Sequence, residues 1–172
     1  YSASKISADQ LALSYWNSFQ MPIKIIRPFN IYGPRQSSRA VIPSIIIQAL
    51  NNKKEIKLGN IEPSRDFTYV TDTCNAFLDI LKIKNFFGNT LNVGSNNEYT
   101  IEDIAKKILA KLNLKTTIKK EKRRVRSANS EVTRLVCDNS KILKHTKWKP
   151  ETKIEKGLDI TINWFKDFKD FF

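Results

Sequence analysis

The chain has 172 residues, is 41% hydrophobic, and carries 30 Lys and Arg against 17 Asp and Glu, a formal charge of +13. This length and apolar content suit a domain with a real core and exclude a disordered basic tail. Two cysteines, Cys74 and Cys137, cannot build a disulfide framework, so a cytoplasmic location is expected. The longest apolar stretch, residues 41–50, is too short to cross a bilayer, and no signal-peptide pattern opens the chain.

The first fifty residues predict a helix, a strand, a turn and a second helix. Residues 1–19 lack Gly and Pro, and their apolar side chains recur at helical spacing. Residues 23–26 predict a β-branched strand that Pro28 stops, followed by a turn-rich segment at 30–35. Residues 41–50 predict an apolar helix.

The alternation of strands and helices continues along the chain. Residues 55–58 and 66–70 predict strands around a loop at 59–64. Asp72 is expected to cap the next helix. The buried face of that helix is expected to consist of Cys74, Phe77, Leu78 and Leu81.

The clearest helix spans residues 101–112, with Thr100 and Asp103 placed close to a capping box. Its predicted apolar stripe is Ile101, Ile104, Ala105, Ile108, Leu109 and Leu112. Residues 91–93, 116–118 and 134–136 predict strands, and 139–143 predict a short helix. The final helix is expected to bury Leu158, Ile162, Phe165 and Phe168. This order predicts an α/β fold with some parallel strands.

The positive charge suggests an anionic partner, and residues 119–126 form its densest block. This block could be a nucleic-acid arm, but no zinc spacing, RNA-binding aromatic motif or basic-plus-heptad pattern accompanies it. Lysines scattered over helical faces favour an ordinary solvated surface. Cys74, Cys137 and His145 lack the spacing of metal ligands, so no metal site is predicted. His145 is expected near a helix end.

Three segments carry the candidate chemistry. Tyr1 and Lys5 lie one helical turn apart, and an ammonium so placed stabilises a phenolate that exchanges protons with a hydroxyl. Taken alone, this pair is equally consistent with an ordinary surface contact. Residues 27–35 follow a strand, where α/β proteins bind ligands, and offer the amide of Asn30 and the guanidinium of Arg35, which suits phosphate. The third segment, 65–70, begins with Arg65.

In this order and spacing, the three segments resemble the extended short-chain dehydrogenase/reductase family of NAD-dependent nucleotide-sugar epimerases and dehydratases. Residues 91–95, 138–143 and 148–150 extend the resemblance over essentially the whole chain. It is closest to 4,6-dehydratases of the legionaminic-acid type, which act on nucleotide-linked N-acetylglucosamine. The resemblance implies the C-terminal part of a Rossmann-like doubly wound sheet plus a small substrate-binding α/β subdomain. It assigns residues 1–35 to the former and mainly 36–172 to the latter, with some segments returning to the Rossmann-like part.

The resemblance also implies roles for individual residues. Tyr1 would be the catalytic acid/base for the sugar C4 hydroxyl. Lys5 would assist it and bind the nicotinamide ribose of NAD, beside Pro28. Arg65 and Arg126 would clamp the nucleotide diphosphate. Asn30 would contact the sugar diphosphate, and Val41, Ile42 and Pro43 would line the base pocket.

The glycine-rich turn of the family's dinucleotide site is not found among the five glycines of this sequence. The chain is therefore expected to be the C-terminal half of the enzyme and inactive alone. A nucleotide-binding module without catalysis and a basic nucleic-acid-binding domain are the alternatives. A homodimer is expected through the helix at 1–19, by way of Leu11, Tyr15, Trp16 and Phe19.

Overall fold

The computed structural model describes residues 1–51, 54–125 and 130–169. The helices in this part of the chain are α1 (Ser2–Phe19), α2 (Val41–Leu50), α3 (Val70–Lys82), α4 (Ile101–Lys111), α5 (Ser140–His145) and α6 (Ile154–Asp167). The strands are β1 (Ile25–Pro28), β2 (Asn30–Tyr32), β3 (Glu55–Leu58), β4 (Ser64–Tyr69), β5 (Thr90–Val93), β6 (Glu98–Thr100), β7 (Thr117–Lys120) and β8 (Arg134–Leu135). A short 3₁₀ helix spans Lys122–Arg124. Within the described residues, no helix is both long and apolar enough to cross a bilayer.

The strands form three small sheets with mostly parallel pairing. β1 pairs with β5, and β3 pairs with β7. In the central sheet β4 has parallel neighbours in β2 and β8 and an antiparallel neighbour in β6. Helices connect several of these strands, since parallel neighbours need crossover connections. The predicted α/β class with parallel strands is confirmed.

Two hydrophobic clusters form the core. The larger one packs α2, α4 and α6 on the inner residues of β2, β3 and β4. The smaller one joins α3 and α5 to β5 and includes Trp148, whose indole nitrogen donates to the Asp72 carbonyl oxygen at 2.7 Å. The β1–β2 and β4–α3 junctions connect the two clusters, so the ends of β1, β2 and β4 lie where they meet.

The helix at 101–111 forms as its sequence predicts. The Thr100 side chain accepts from the Asp103 N–H at 3.0 Å, and Asp103 accepts in return from the Thr100 N–H at 3.0 Å. This capping box satisfies donors that the first turn leaves free. The apolar stripe of α4 is buried as far as Leu109, and Leu112 is half-buried.

The predictions for α3 are wrong in two respects. The helix begins at Val70, and Asp72 does not cap it; the Asp72 carboxylate instead accepts from the Thr152 N–H at 2.9 Å. The buried face consists of Asp72, Thr73, Ala76 and Ile80. The expected face, Cys74, Phe77, Leu78 and Leu81, is exposed.

Smaller corrections concern strand ends and the last helix. Pro28 is the last residue of β1 rather than its stop, because a proline at the end of an edge strand costs no ladder hydrogen bond. Residues 30–32, expected as a turn, form β2. Phe168 lies just beyond α6 and is exposed, although its ring packs against Trp164.

Candidate functional site

A cavity of about 940 Å³ opens beside the end of β1, the start of β2 and the first part of β4. Its walls come from residues 28–31, the segment before α2 and the first turns of that helix, the β3–β4 loop, β8 and the 3₁₀ helix. A cavity of this size accommodates a ligand as large as a nucleotide sugar. Polar side chains line it alongside apolar ones.

Asn30 and Arg65 are brought together by the parallel pairing of β2 with β4. Asn30 is in register with Phe67, and its side-chain amide donates to the Asp66 carbonyl oxygen at 3.1 Å. The Arg65 guanidinium donates to the Ser64 carbonyl oxygen at 2.8 Å and pairs with Glu131 at 3.2 Å. The Arg65 and Glu131 side chains are only 14% and 15% exposed. The cavity therefore holds an oriented cation and an oriented amide on adjacent strands.

The buried carboxylate of Asp66 stabilises β4, the strand that carries Arg65. The Asp66 carboxylate is fully buried and accepts from the Ser95 N–H at 2.9 Å, the Asn96 N–H at 2.8 Å and the Cys137 N–H at 3.2 Å. The Ser95 hydroxyl donates to it as well, at 2.6 Å. Several donors offset the cost of burying the carboxylate and tie two loops to β4. Burial, with the Asp66 charge nearby, raises the pKa of the Cys137 thiol to about 12.

Two further guanidinium groups line the wall at α2. Arg124 donates to the Ser44 hydroxyl at 3.5 Å and pairs with Glu121 at 2.6 Å. Arg39 precedes α2 and has no ion-pair partner among the described residues. With Arg65, the cavity carries three cations and, in Glu131, one carboxylate. This balance favours an anionic ligand.

Tyr1 and Pro28 lie on the wall nearest α1. Tyr1 is 93% exposed, and the Lys5 ammonium lies 5.4 Å from the centroid of its ring. Lys5 itself does not line the cavity. Tyr1 and Pro28 therefore line the cavity, with Lys5 near the Tyr1 ring but not on the wall, while Arg65 and Arg124 line it from β4 and the 3₁₀ helix.

The structure brings together six of the predicted site residues: Tyr1, Pro28, Asn30, Val41, Ile42 and Arg65. Ile42 lines the cavity beside Val41, whereas Pro43 is buried within α2 and does not reach it. Arg35 is exposed, adopts a left-handed φ of 64° and is not on the wall. Arg126 lies outside the described residues.

Six polar lining residues were not predicted: Gln36, Arg39, Ser44, Asn60, Arg124 and Glu131. The Gln36 side-chain nitrogen donates to the Ile31 carbonyl oxygen at 2.7 Å, and its buried oxygen has no donor among the described residues. Arg124 was visible only as part of the basic block. Arg39 stands directly before an apolar helix in the sequence. That position could have predicted a cation on the cavity wall beside α2. No three His, Cys, Asp or Glu side chains within the described ranges are grouped so as to hold a metal ion.

Parallel α/β pairing beside a cavity with three guanidinium groups is typical of proteins that bind phosphorylated ligands. Comparison with known proteins identifies the family. The family model described as GDP-mannose 4,6 dehydratase matches residues 1–161. The dTDP-D-glucose 4,6-dehydratase of Homo sapiens is 31% identical over 170 residues, covering 97% of this chain and 48% of that protein. The chain belongs to this family of nucleotide-sugar dehydratases and epimerases in the short-chain dehydrogenase/reductase superfamily.

Solved structures agree with this assignment. A dTDP-glucose 4,6-dehydratase from Bacillus anthracis in complex with NAD superposes with a TM-score of 0.89 at 30% identity, over 100% of this chain and 53% of that one. A UDP-glucuronic acid 4-epimerase from Bacillus cereus, in complex with UDP-glucuronic acid and NAD, gives 0.88 at 26% identity, over 96% and 52%. NAD is thus the cofactor of the family. The chain spans about half the length of the relatives it matches.

Proposed function

We propose that the chain is the C-terminal, substrate-binding half of an NAD-dependent nucleotide-sugar 4,6-dehydratase or epimerase. The observation that carries this proposal is the convergence of Tyr1, Asn30 and Arg65 on one cavity. A diphosphate fits the buried guanidinium of Arg65, because charge-assisted bonds to a fixed guanidinium bind phosphate oxygens well. The sugar then lies between Asn30 and Tyr1. Val41 and Ile42 offer apolar contact for the nucleobase.

The reaction begins with oxidation of the sugar C4 hydroxyl. Tyr1 accepts the hydroxyl proton, and the Lys5 ammonium stabilises the resulting charge on the phenolic oxygen. Bound NAD supplies the hydride acceptor. Tyr1 and Pro28 line the same cavity wall and fit the nicotinamide end of that cofactor. The sequence has no glycine-rich turn of the kind that binds the phosphates of a dinucleotide.

We favour the 4,6-dehydratase over the epimerase. The matching family model and the relative at 31% identity both carry dehydratase names. Epimerisation leaves the substrate mass unchanged, whereas dehydration removes one water, so mass spectrometry of the product separates the two.

The free thiols of Cys74 and Cys137 support a reducing, cytoplasmic location. A homodimer through α1 is part of the same proposal.

Calorimetric titration of the chain with dTDP and UDP tests the proposed site. We expect heat with both diphosphates and none with the free nucleosides, because Arg65 interacts with phosphate rather than with ribose or base. Absence of heat with either diphosphate at millimolar concentration would contradict nucleotide-sugar binding. Incubation with NAD and a nucleotide sugar is expected to give no product. Binding without turnover even after the N-terminal half of a relative is supplied would favour the alternative, a binding module without catalysis.

A further inference from the structure

A segment of high charge density lies next to the cavity. Residues 119–124 contain five basic side chains and one acidic one, a net charge of +4. All five basic residues are exposed: Lys119, Lys120, Lys122, Arg123 and Arg124. We call this segment the basic rim. Of these five basic residues, only Arg124 lines the cavity, and the proposed reaction uses none of the other four.

Backbone contacts fix the basic rim to the mouth of the cavity. Lys120 is in register with Leu58, which lines the cavity, and the Glu121 N–H donates to the Leu58 carbonyl oxygen at 2.7 Å. The next residue, Gly59, also lines the cavity and lies directly against the Arg124 backbone. A Cβ at Gly59 would come within 2.4 Å of the Arg124 carbonyl oxygen. The rim therefore lies against the β3–β4 loop that forms one cavity wall.

Neighbouring carboxylates neutralise only part of the rim. Arg124 pairs with Glu121, and Lys119 lies 3.5 Å from Glu55. Among the described residues, no carboxylate lies within ion-pair distance of Lys120, Lys122 or Arg123. Glu62, on the β3–β4 loop, is exposed, but it is a single negative charge against these three. Uncompensated positive charge thus remains beside the opening.

We propose that the basic rim is an electrostatic guide that speeds the entry of nucleoside diphosphates into the cavity. This inference rests on the proposed function. The Debye length is about 8 Å at physiological ionic strength, so charges at the mouth act on an incoming anion while distant surface charges are screened. A cleft lined with one sign of charge concentrates the opposite ion and raises its association rate. Charges outside the contact surface act mainly on association rather than dissociation.

Stopped-flow fluorescence with N-methylanthraniloyl-labelled UDP tests the guide. The test variant is Lys120→Gln/Lys122→Gln/Arg123→Gln. The matched control is Lys84→Gln/Lys144→Gln/Lys147→Gln, which also removes three positive charges, from exposed residues that do not line the cavity. At low ionic strength we expect the test variant to associate about fivefold more slowly, with an unchanged dissociation rate. The association rate of the control variant should change by less than about twofold. High salt should abolish the difference in association rate between the test variant and the unsubstituted chain.

Any other outcome contradicts the proposal that the basic rim is an electrostatic guide. Equal slowing by both triple variants would mean that only net charge matters. A change in dissociation, or a defect that persists in high salt, would mean direct ligand contact or altered folding. If the rim variant loses binding to duplex DNA while its nucleotide kinetics are unchanged, the rim is a nucleic-acid surface instead. Failure of the unsubstituted chain to bind labelled UDP would contradict the proposed function itself, and the guide with it.

Discussion

At the scale of single residues, the site depends on how Arg65 is held. Its guanidinium is nearly buried, so it needs both hydrogen-bond acceptors and a counter-charge. The Ser64 carbonyl oxygen and the Glu131 carboxylate supply them. Asp66, the next residue, anchors β4 from its other side through backbone donors of two loops. The guanidinium of Arg65 is therefore already oriented before any ligand binds.

The two cysteines provide a residue-scale prediction. Cys74 is exposed on α3, whereas Cys137 is buried with its pKa raised to about 12. Since the thiolate is the reactive form, Cys137 should stay protonated and unreactive at pH 8. Titration with Ellman's reagent should find one fast thiol in the folded chain and two after denaturation. Two fast thiols in the folded chain would contradict the burial of Cys137.

The sequence predicted those parts of the site that stand in recognisable patterns. Asn30 follows β1, Arg65 lies near the start of β4, and Tyr1 and Lys5 are one turn apart, so the three segments could be matched together to the family pattern. Arg39 and Glu131 belong to no such pattern. They reach the cavity because the chain brings α2 and β8 beside β4, and that proximity comes from tertiary packing rather than from spacing.

At the scale of elements, α3 and α4 show when the periodicity of apolar residues is enough to predict the buried face of a helix. α4 has a single apolar stripe and a capping box, so local and tertiary preferences agree. α3 has two candidate faces. The buried one begins with Asp72 and Thr73, which sequence reasoning assigns to solvent, and the hydrogen bonds of the Asp72 carboxylate to Thr152 offset the cost of burying that carboxylate. Those bonds join residues far apart in the chain.

A matched pair of substitutions tests the corrected face of α3. Ile80 is 1% exposed in the smaller core cluster, and Leu81 is 74% exposed. Ile80→Ala should lower the free energy of unfolding by about 3 kcal/mol, through lost burial and a residual cavity. Leu81→Ala should change it by less than about 0.5 kcal/mol. Urea denaturation measures both, and a larger loss from Leu81→Ala would restore the face that periodicity suggested.

The capping box of α4 makes a pH-dependent prediction. Hydrogen bonds from the Thr100 hydroxyl and N–H lower the pKa of Asp103 below its ordinary value of 3.8. A carboxyl with a lowered folded-state pKa stabilises the fold above the unfolded pKa, and that stabilisation disappears as pH falls through the folded pKa. Asp103→Asn should therefore be less stable than the unsubstituted chain at pH 7. The gap should close below pH 3.8, as followed by thermal unfolding across that range. A gap of constant size at every pH would exclude the charge of Asp103 as its source.

At the scale of the whole molecule, α1 lies at the edge of the fold. It has no buried residue, although Trp16 packs against Phe87, with ring centroids 5.8 Å apart, and against Gly88. Trp16 therefore faces inward, and the face proposed for self-association reduces to Leu11, Tyr15 and Phe19. Such an apolar face in water favours association with another copy.

Light scattering after size-exclusion chromatography tests this association. We expect a dimer for the unsubstituted chain and a monomer for Leu11→Glu/Phe19→Glu, since two buried carboxylates would oppose the contact. The control is Lys144→Glu/Lys147→Glu, which alters two exposed residues far from α1 in the sequence. This variant should remain dimeric. A monomeric unsubstituted chain at high concentration would contradict the dimer.

The proposed function requires that this cavity bind a nucleoside diphosphate through Arg65. Arg134 provides the matched control, because it lies on the neighbouring strand β8, pairs with Glu98 and does not line the cavity. A hydrogen bond to a charged group contributes about 1.5–3 kcal/mol, so Arg65→Gln should weaken UDP binding by about 10- to 100-fold. Calorimetric titration of both variants is the most direct measurement. We predict a large loss for Arg65→Gln and unchanged affinity for Arg134→Gln; equal affinities for the two variants would contradict the account.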